Sequence, residues 1–374
     1  MYKIIEKYLV ELINNSTVER PVWNMEKIRS GAKINWNYID GCMMNCILEL
    51  YKMTNNKIYL DFVDSYIGHF VCEDGTINTY KPEKYVLDDI CESKVLFDLY
   101  QYTNNEKYLK AISYTYKHIE NQPRTKEGNF WHKAIYPHQI WLDGLYMAMP
   151  FYTKYKNLTE VNPNYDDIIN QYKNVESIMK DKVTGLYYHG YDSSKEVFWA
   201  DKVTGLSKNF WLRAIGWFIV SIMDVYELLK DEKAQQELKR IASNLAESLL
   251  KYQDKETKMF YQVVDQMDRT GNYVETSGSA MIAYSFLKGA RLNVLDCSYK
   301  DLGKDIFDGI CKNFLNDNNG SLGLGNICLV AGLGPADNLR RDGSYEYYIS
   351  EPIVENEGKG VAPLIMAYIE LMRG

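Results

Sequence analysis

Apolar residues recur along most of the chain at the three- and four-residue spacing of a helix face. Leu87, Cys91, Val95 and Leu99 stand four apart in one stripe, and Tyr2, Ile4, Ile5, Tyr8, Leu9 and Leu12 alternate with charges as an amphipathic helix does. The pattern also repeats. Residues 50–60 (LYKMTNNKIYL) and 99–109 (LYQYTNNEKYL) lie 49 positions apart, and each closes one periodic segment, turns through Thr-Asn-Asn and opens another. That is the sequence form of a helical hairpin.

A second repeat marks helix starts. Ile39-Asp40-Gly41, Leu87-Asp88-Asp89 and Leu142-Asp143-Gly144 each open an apolar stripe, and comparable starts follow near Phe210, Thr276 and Gly360. About six helix pairs closed into a ring predict an all-α fold, an (α/α)6 barrel of six helical hairpins. Equivalent inner helices run parallel in such a ring, so Asp40, Asp88 and Asp143 are expected to converge on one cleft. No linker, charge block or low-complexity stretch interrupts residues 1–374, which predicts a single catalytic domain. The identical segments 181–186 and 201–206 (DKVTGL) read as turns bracketing His189. The Gly-rich stretch Ser321 to Ser350 reads as a long irregular loop over the cleft.

Composition narrows the class. With 46% apolar residues in 374, the chain can build a large core, and no apolar run approaches the roughly 20 residues of a membrane span. The first residues lack the apolar core and cleavage site of a signal peptide. Seven cysteines (42, 46, 72, 91, 297, 311, 328) without a CxxC pair suit free thiols in a reducing cytoplasm. A net charge of −7 without a basic block argues against nucleic acid, yet leaves room for a small anionic substrate, because one buried arginine outweighs the net field locally. The 32 tyrosines and 7 tryptophans suit a sugar cleft and a helical core equally.

Asp143 stands among aromatic and aliphatic residues in 139–151 (QIWLDGLYMAMPF). Desolvation there raises a carboxyl pKa while a helix N-terminus lowers it, and a general acid needs the first influence to win. The plainer alternative is a helix cap. Arg213, flanked by Trp211 and Trp217, offers a guanidinium fork to a carboxylate or sugar hydroxyls; a surface ion pair is its ordinary alternative. His132 and His189 sit among aromatics in inter-helix loops, suited to contacting a sugar or to local structural hydrogen bonds. The five histidines (69, 118, 132, 138, 189) show no HExxH-like pairing, and Cys42 with Cys46, one turn apart, reads as core. Neither a P-loop nor a GxGxxG in a strand-turn-helix setting occurs. The expectation is an enzyme without metal or cofactor.

Residues 141–148 (WLDGLYMA), 208–217 (KNFWLRAIGW) and 275–281 (ETSGSAM) resemble signature segments of the unsaturated rhamnogalacturonyl hydrolases, glycoside hydrolase family 105, a family related to the unsaturated glucuronyl hydrolases. The likeness runs from Trp36 to Gly360. It implies a substrate left by polysaccharide lyases, whose terminal uronic acid carries a C4=C5 enol ether. Protonation at C4 makes an oxocarbenium-like cation at C5; water adds, and the hemiketal opens to release 5-dehydro-4-deoxy-glucuronate and rhamnose. By the same resemblance Asp143 donates the proton and then takes one from water, and Asp88 is the second carboxylate, binding sugar hydroxyls. Tyr38, Asp40, His132, Trp141, His189, Trp211, Arg213 and Trp217 are the further substrate contacts it implies, with Arg213 on the uronate. Three alternatives remain open: an unsaturated glucuronyl hydrolase acting on glycosaminoglycan disaccharides, an ordinary inverting glycosidase, and a non-catalytic helical-repeat binding protein. The expected partner is a short unsaturated oligosaccharide, with the protein a monomer or weak homo-oligomer.

Overall fold

The computed structural model describes residues 2–318 and 321–373. Helix α1 (Tyr2–Asn14) and the short α2 (Met25–Ser30) lead into the first inner helix, α3 (Tyr38–Thr54), which turns back as α4 (Lys57–Gly68). The second inner element begins as a 3-10 helix (Leu87–Val95) and continues as α5 (Leu96–Thr103), followed by α6 (Glu106–Asn121). The pairs α7 (Leu142–Thr159) with α8 (Asp166–Met179), α9 (Leu212–Leu228) with α10 (Glu232–Leu250), and α11 (Thr276–Arg291) with α12 (Tyr299–Phe314) follow. A short α13 (Tyr345–Ser350) precedes the last inner helix, α14 (Gly358–Arg373).

Each inner element packs on the next, and α14 returns to α3, so the ring closes as an (α/α)6 barrel. The sixth pair is not a hairpin: α14 takes α1, from the other end of the chain, as its outer partner. Tyr368 donates to Glu6 Oε1 across that joint at 2.6 Å. No helix among the described residues is long and apolar enough to cross a membrane.

The Thr-Asn-Asn repeat has a local cause. Asn55 and Asn104 adopt φ 54° as left-handed C-caps, and the next residues, Asn56 and Asn105, accept the N–H of Ile58 and Lys107 as N-caps. Thr54 and Thr103 donate back to the carbonyls of Leu50 and Leu99. The DKVTGL turns behave alike: Asp181 and Asp201 accept the amides two and three residues on, while Gly185 and Gly205 take φ 76° and 81°.

Inner helices are crowded on both flanks. A Cβ on Gly41 would lie 2.6 Å from the Cα of Glu92, so α3 meets the 3-10 helix backbone to backbone there. Pro150, inside α7, lacks the N–H that would have bonded the carbonyl of Tyr146. Lys94 Nζ reaches that carbonyl at 3.2 Å from the neighbouring inner element and sits 3.4 Å from the Tyr146 ring centroid.

Short strands tie the loops at the N-terminal end of the inner helices. Strand β1 (Gln139–Trp141) pairs antiparallel with β2 (Gly190–Asp192). The stretch from Ser321 to Ser350 is more regular than its glycines suggested. It supplies one strand of the hairpin β3 (Leu315–Asn318) with β4 (Ser321–Leu324), strand β5 (Ile327–Cys328), which pairs with β6 (Ile353–Val354), and helix α13. Residues 329–344 between them are irregular.

Candidate active site

Asp143 lies in the first turn of α7, immediately after β1. The β1–β2 pairing places Trp141 opposite Gly190, and the amide of Leu142 donates to the carbonyl of His189 at 3.1 Å. His189 is thereby carried to Asp143, with Nε2 at 3.4 Å from Oδ2. Its other nitrogen, Nδ1, is 2.7 Å from the hydroxyl of Tyr348 on α13. Trp211 flanks the imidazole at 4.8 Å and Trp141 meets it edge-on at 5.4 Å, measured between ring centroids. Burial holds the Tyr348 phenol well above its ordinary pKa, so it stays protonated.

A second acid is built by another loop. The amide of Leu87 donates to the carbonyl of His132, and Val86 bridges Lys133, which brings Asp88 alongside both side chains. Lys133 Nζ lies 2.6 Å from Asp88 Oδ2 and His132 Nε2 3.5 Å from Oδ1. Burial pushes the Asp88 carboxyl up, but Lys133 and His132 outweigh it and hold the group below the usual carboxylate range. His132 is pushed down to about 4 by burial, so its ring is neutral near pH 7. It stacks on Trp141 at 4.4 Å and 18°, and Tyr136 also stacks on Trp141, at 4.9 Å and 15°.

These groups surround a cavity of about 170 Å³ at the N-terminal end of the inner helices. Of the residues singled out from sequence, Tyr38, Asp88, His132, Trp141 and Asp143 line it together. One oxygen of each acid, Asp88 Oδ1 and Asp143 Oδ2, is buried without a hydrogen-bond partner among the described residues. His189 and Trp211 are buried directly behind this wall, and Trp211 donates its indole N–H to Gln262 at 3.2 Å. They hold the cavity's acid rather than line the cavity.

Three expected ligand contacts stand elsewhere. Asp40 does not converge with the other two acids. Its carboxylate is fully buried and receives Trp23 Nε1 at 3.0 Å, Asn24 Nδ2 at 3.1 Å, Asn37 Nδ2 at 2.6 Å and Lys27 Nζ at 3.1 Å, a complete set of partners joining α2 to α3. Arg213, 1% exposed, donates to Ser277 Oγ at 2.7 Å and to the carbonyls of Cys328 and Leu329, with Glu275 at 3.6 Å. Its fork is occupied by protein. Trp217, one turn deeper, stacks on Tyr146 at 4.4 Å and lines a separate axial cavity below.

Sequence reasoning passed over Lys133, Tyr136, Arg341 and Tyr348. Lys133 and Tyr136 follow His132 closely, but nothing in their spacing marks them. Tyr348 meets His189 across 159 residues, a separation that leaves no local signal. Arg341, in the irregular segment, lines the cavity as well.

The model of Glycosyl Hydrolase Family 88 matches residues 10–374. A glycoside hydrolase from family 105 of C. acetobutylicum shares 43% sequence identity and superposes with a TM-score of 0.91 over 100% of this chain and 99% of that one. The unsaturated glucuronyl hydrolase of Bacillus sp. GL1, 14% identical, has the same fold at a TM-score of 0.68 over 100% of this chain and 97% of its own. The unsaturated rhamnogalacturonyl hydrolase YesR of Bacillus subtilis is 24% identical over 266 residues, 69% of this chain and 72% of that protein. With a helical barrel, a cavity holding two carboxylates and a family model spanning nearly its whole length, the chain belongs to glycosyl hydrolase family 88 and is a glycoside hydrolase.

Proposed function

We propose that this enzyme hydrates the C4=C5 enol ether of an unsaturated galacturonyl-rhamnose oligosaccharide, the kind of product pectin lyases leave from rhamnogalacturonan. The observation that carries the reading is the placement of Asp143. Asp143 lines a small cavity with its Oδ2 buried beside His189 Nε2 and without a hydrogen-bond partner among the described residues, and the cavity's other carboxylate, Asp88, is held ionised by Lys133. Asp143 gives its proton to C4, and the electron pair of the double bond forms the new C–H bond. Water attacks the cation at C5 and returns a proton to Asp143, leaving a hemiketal that opens to 5-dehydro-4-deoxy-glucuronate and rhamnose. His189 Nε2, 3.4 Å from Oδ2, steadies the carboxylate while the proton is away. Asp88 accepts sugar hydroxyls, and Trp141, its ring stacked by His132 and Tyr136, helps wall the sugar in.

The choice of rhamnose as leaving sugar is supported by the segments at 141–148, 208–217 and 275–281 and by the likeness to YesR. The enzyme works as one catalytic domain, in the cytoplasm, on short oligosaccharides, and needs no cofactor. Incubation with unsaturated galacturonyl-rhamnose in heavy water tests the reading. Loss of the conjugated uronate's ultraviolet absorbance, with deuterium at C4 of the product, is expected. Release of rhamnose with the absorbance retained would make it an ordinary glycosidase instead. Absorbance loss only on the unsaturated glucuronyl analogue would transfer the reading to glycosaminoglycan fragments.

A further inference from the structure

A uronate brings a carboxylate into the cavity, and a buried anion requires a cationic partner. Two cations line the cavity, Lys133 and Arg341. Lys133 is matched by Asp88 at 2.6 Å. Arg213 is occupied by Ser277 and by the carbonyls of Cys328 and Leu329. The Arg341 guanidinium has no hydrogen-bond or ion-pair partner among the described residues. Its neighbour Arg340 shows the contrast: it pairs with Glu351 at 2.7 Å and lies 5.3 Å from the Tyr347 ring.

The segment that presents Arg341 is held in place. Its carbonyl accepts from Gly334 at 2.8 Å and its amide donates to Asn338 at 3.2 Å, closing the chain on itself. Gly332 donates to the Tyr347 hydroxyl at 3.0 Å. A Cβ at Gly332 would stand 3.3 Å from the Trp141 ring and 3.5 Å from Arg341 Nη1, so the ring and the guanidinium converge on the one residue without a side chain. At the base of the segment, the bonds from Arg213 fasten Cys328 and Leu329.

We propose that Arg341 is the receptor for the carboxylate of the unsaturated sugar, and that Arg213 is a positioning residue holding the segment that carries it. The inference rests on the reading of the cavity as an unsaturated-uronate site. A planar guanidinium with free N–H groups receives both oxygens of a carboxylate, which a lysine in its place does not. Because the charge lies on a part of the substrate that does not change between ground and transition states, Arg341 acts mainly on binding.

The test compares unsaturated galacturonyl-rhamnose with its neutral methyl ester, using wild type, Arg341→Met and Arg341→Lys, with melting temperatures confirming that each variant folds. Wild type is expected to prefer the acid. Arg341→Met is expected to raise KM for the acid on the order of 10- to 100-fold, to leave kcat within about threefold, and to leave the ester unaffected, so the preference collapses. Arg341→Lys is expected to fall between the two. If wild type turns over the acid and Arg341→Met keeps its KM, the Arg341 assignment is wrong while the site reading stands. If wild type bleaches neither the acid nor the ester, the site reading fails and takes Arg341 with it.

Discussion

His189 Nε2 stands 3.4 Å from Asp143 Oδ2, and both atoms are buried without a hydrogen-bond partner among the described residues. Behind the ring, the Tyr348 phenol is held protonated by burial and stands 2.7 Å from Nδ1; when it donates there, the imidazole proton sits on Nε2, on the side of the carboxylate. Phenol, imidazole and carboxyl thus form a line from α13 to the first turn of α7, with Trp211 and Trp141 limiting how far the imidazole can swing.

Asp143→Asn should fold normally and lose turnover by about 1,000-fold, the scale of a positioned general acid. An amide fills the same space and has no proton to give to carbon. Ultraviolet absorbance decay beside circular dichroism checks this; a variant within tenfold of wild type would remove Asp143 from the proton donor's role.

Tyr348→Phe deletes one hydroxyl outside the cavity. Loss of one neutral hydrogen bond should lower kcat about 5- to 10-fold, hold KM near wild type and displace a limb of the pH–rate profile, because the imidazole beside Asp143 loses its Nδ1 partner. A purely structural role for Tyr348 predicts a lower melting temperature with the pH profile unmoved.

Lys94→Met should cost about 1–3 kcal/mol of stability, since it strands the buried carbonyl of Tyr146. Pro150→Ala restores an amide able to reach that carbonyl, so the double variant should lose less than the sum of the single losses. Urea titration of all four proteins gives the coupling; strict additivity would show that Lys94 does not serve that carbonyl.

Acid should weaken the fold through histidine. Burial pushes His132 and His118 down to about 4 in the folded chain, whereas an unfolded histidine titrates near 6.5. Between those values the unfolded chain binds more protons, so stability is complete above pH 6.5 and falls toward pH 4, by up to about 3 kcal/mol per histidine. Chemical denaturation at pH 7, 6, 5 and 4 should show a shallower fall for His118→Gln than for wild type. Parallel curves would mean that His118 protonates freely in the folded state.

The sequence alone determined the inner helices and their order, though not the short strands or the outer partner of α14. Helix faces come from apolar spacing within a few residues, and the Thr-Asn-Asn joints from side chains bonding their own neighbouring amides, so both are written locally. The starts expected near residues 40, 88, 143, 210, 276 and 360 are the starts of the inner elements. Asp88 and Asp143 were legible because parallel inner helices bring their first turns to one end. The same rule failed for Asp40, which three polar neighbours and Lys27 close off from the cavity. Only the tertiary structure decided which polar groups satisfy one another. Arg213 looked like the anion receptor among its tryptophans, but the return of Cys328 and Leu329 fills its fork and leaves Arg341 facing the cavity. Tyr348 reaches His189, and α1 closes the ring against α14, for the same reason: these pairings join segments more than 150 residues apart. A local pattern carries the propensity of its own segment, not the identity of the distant segment that packs against it.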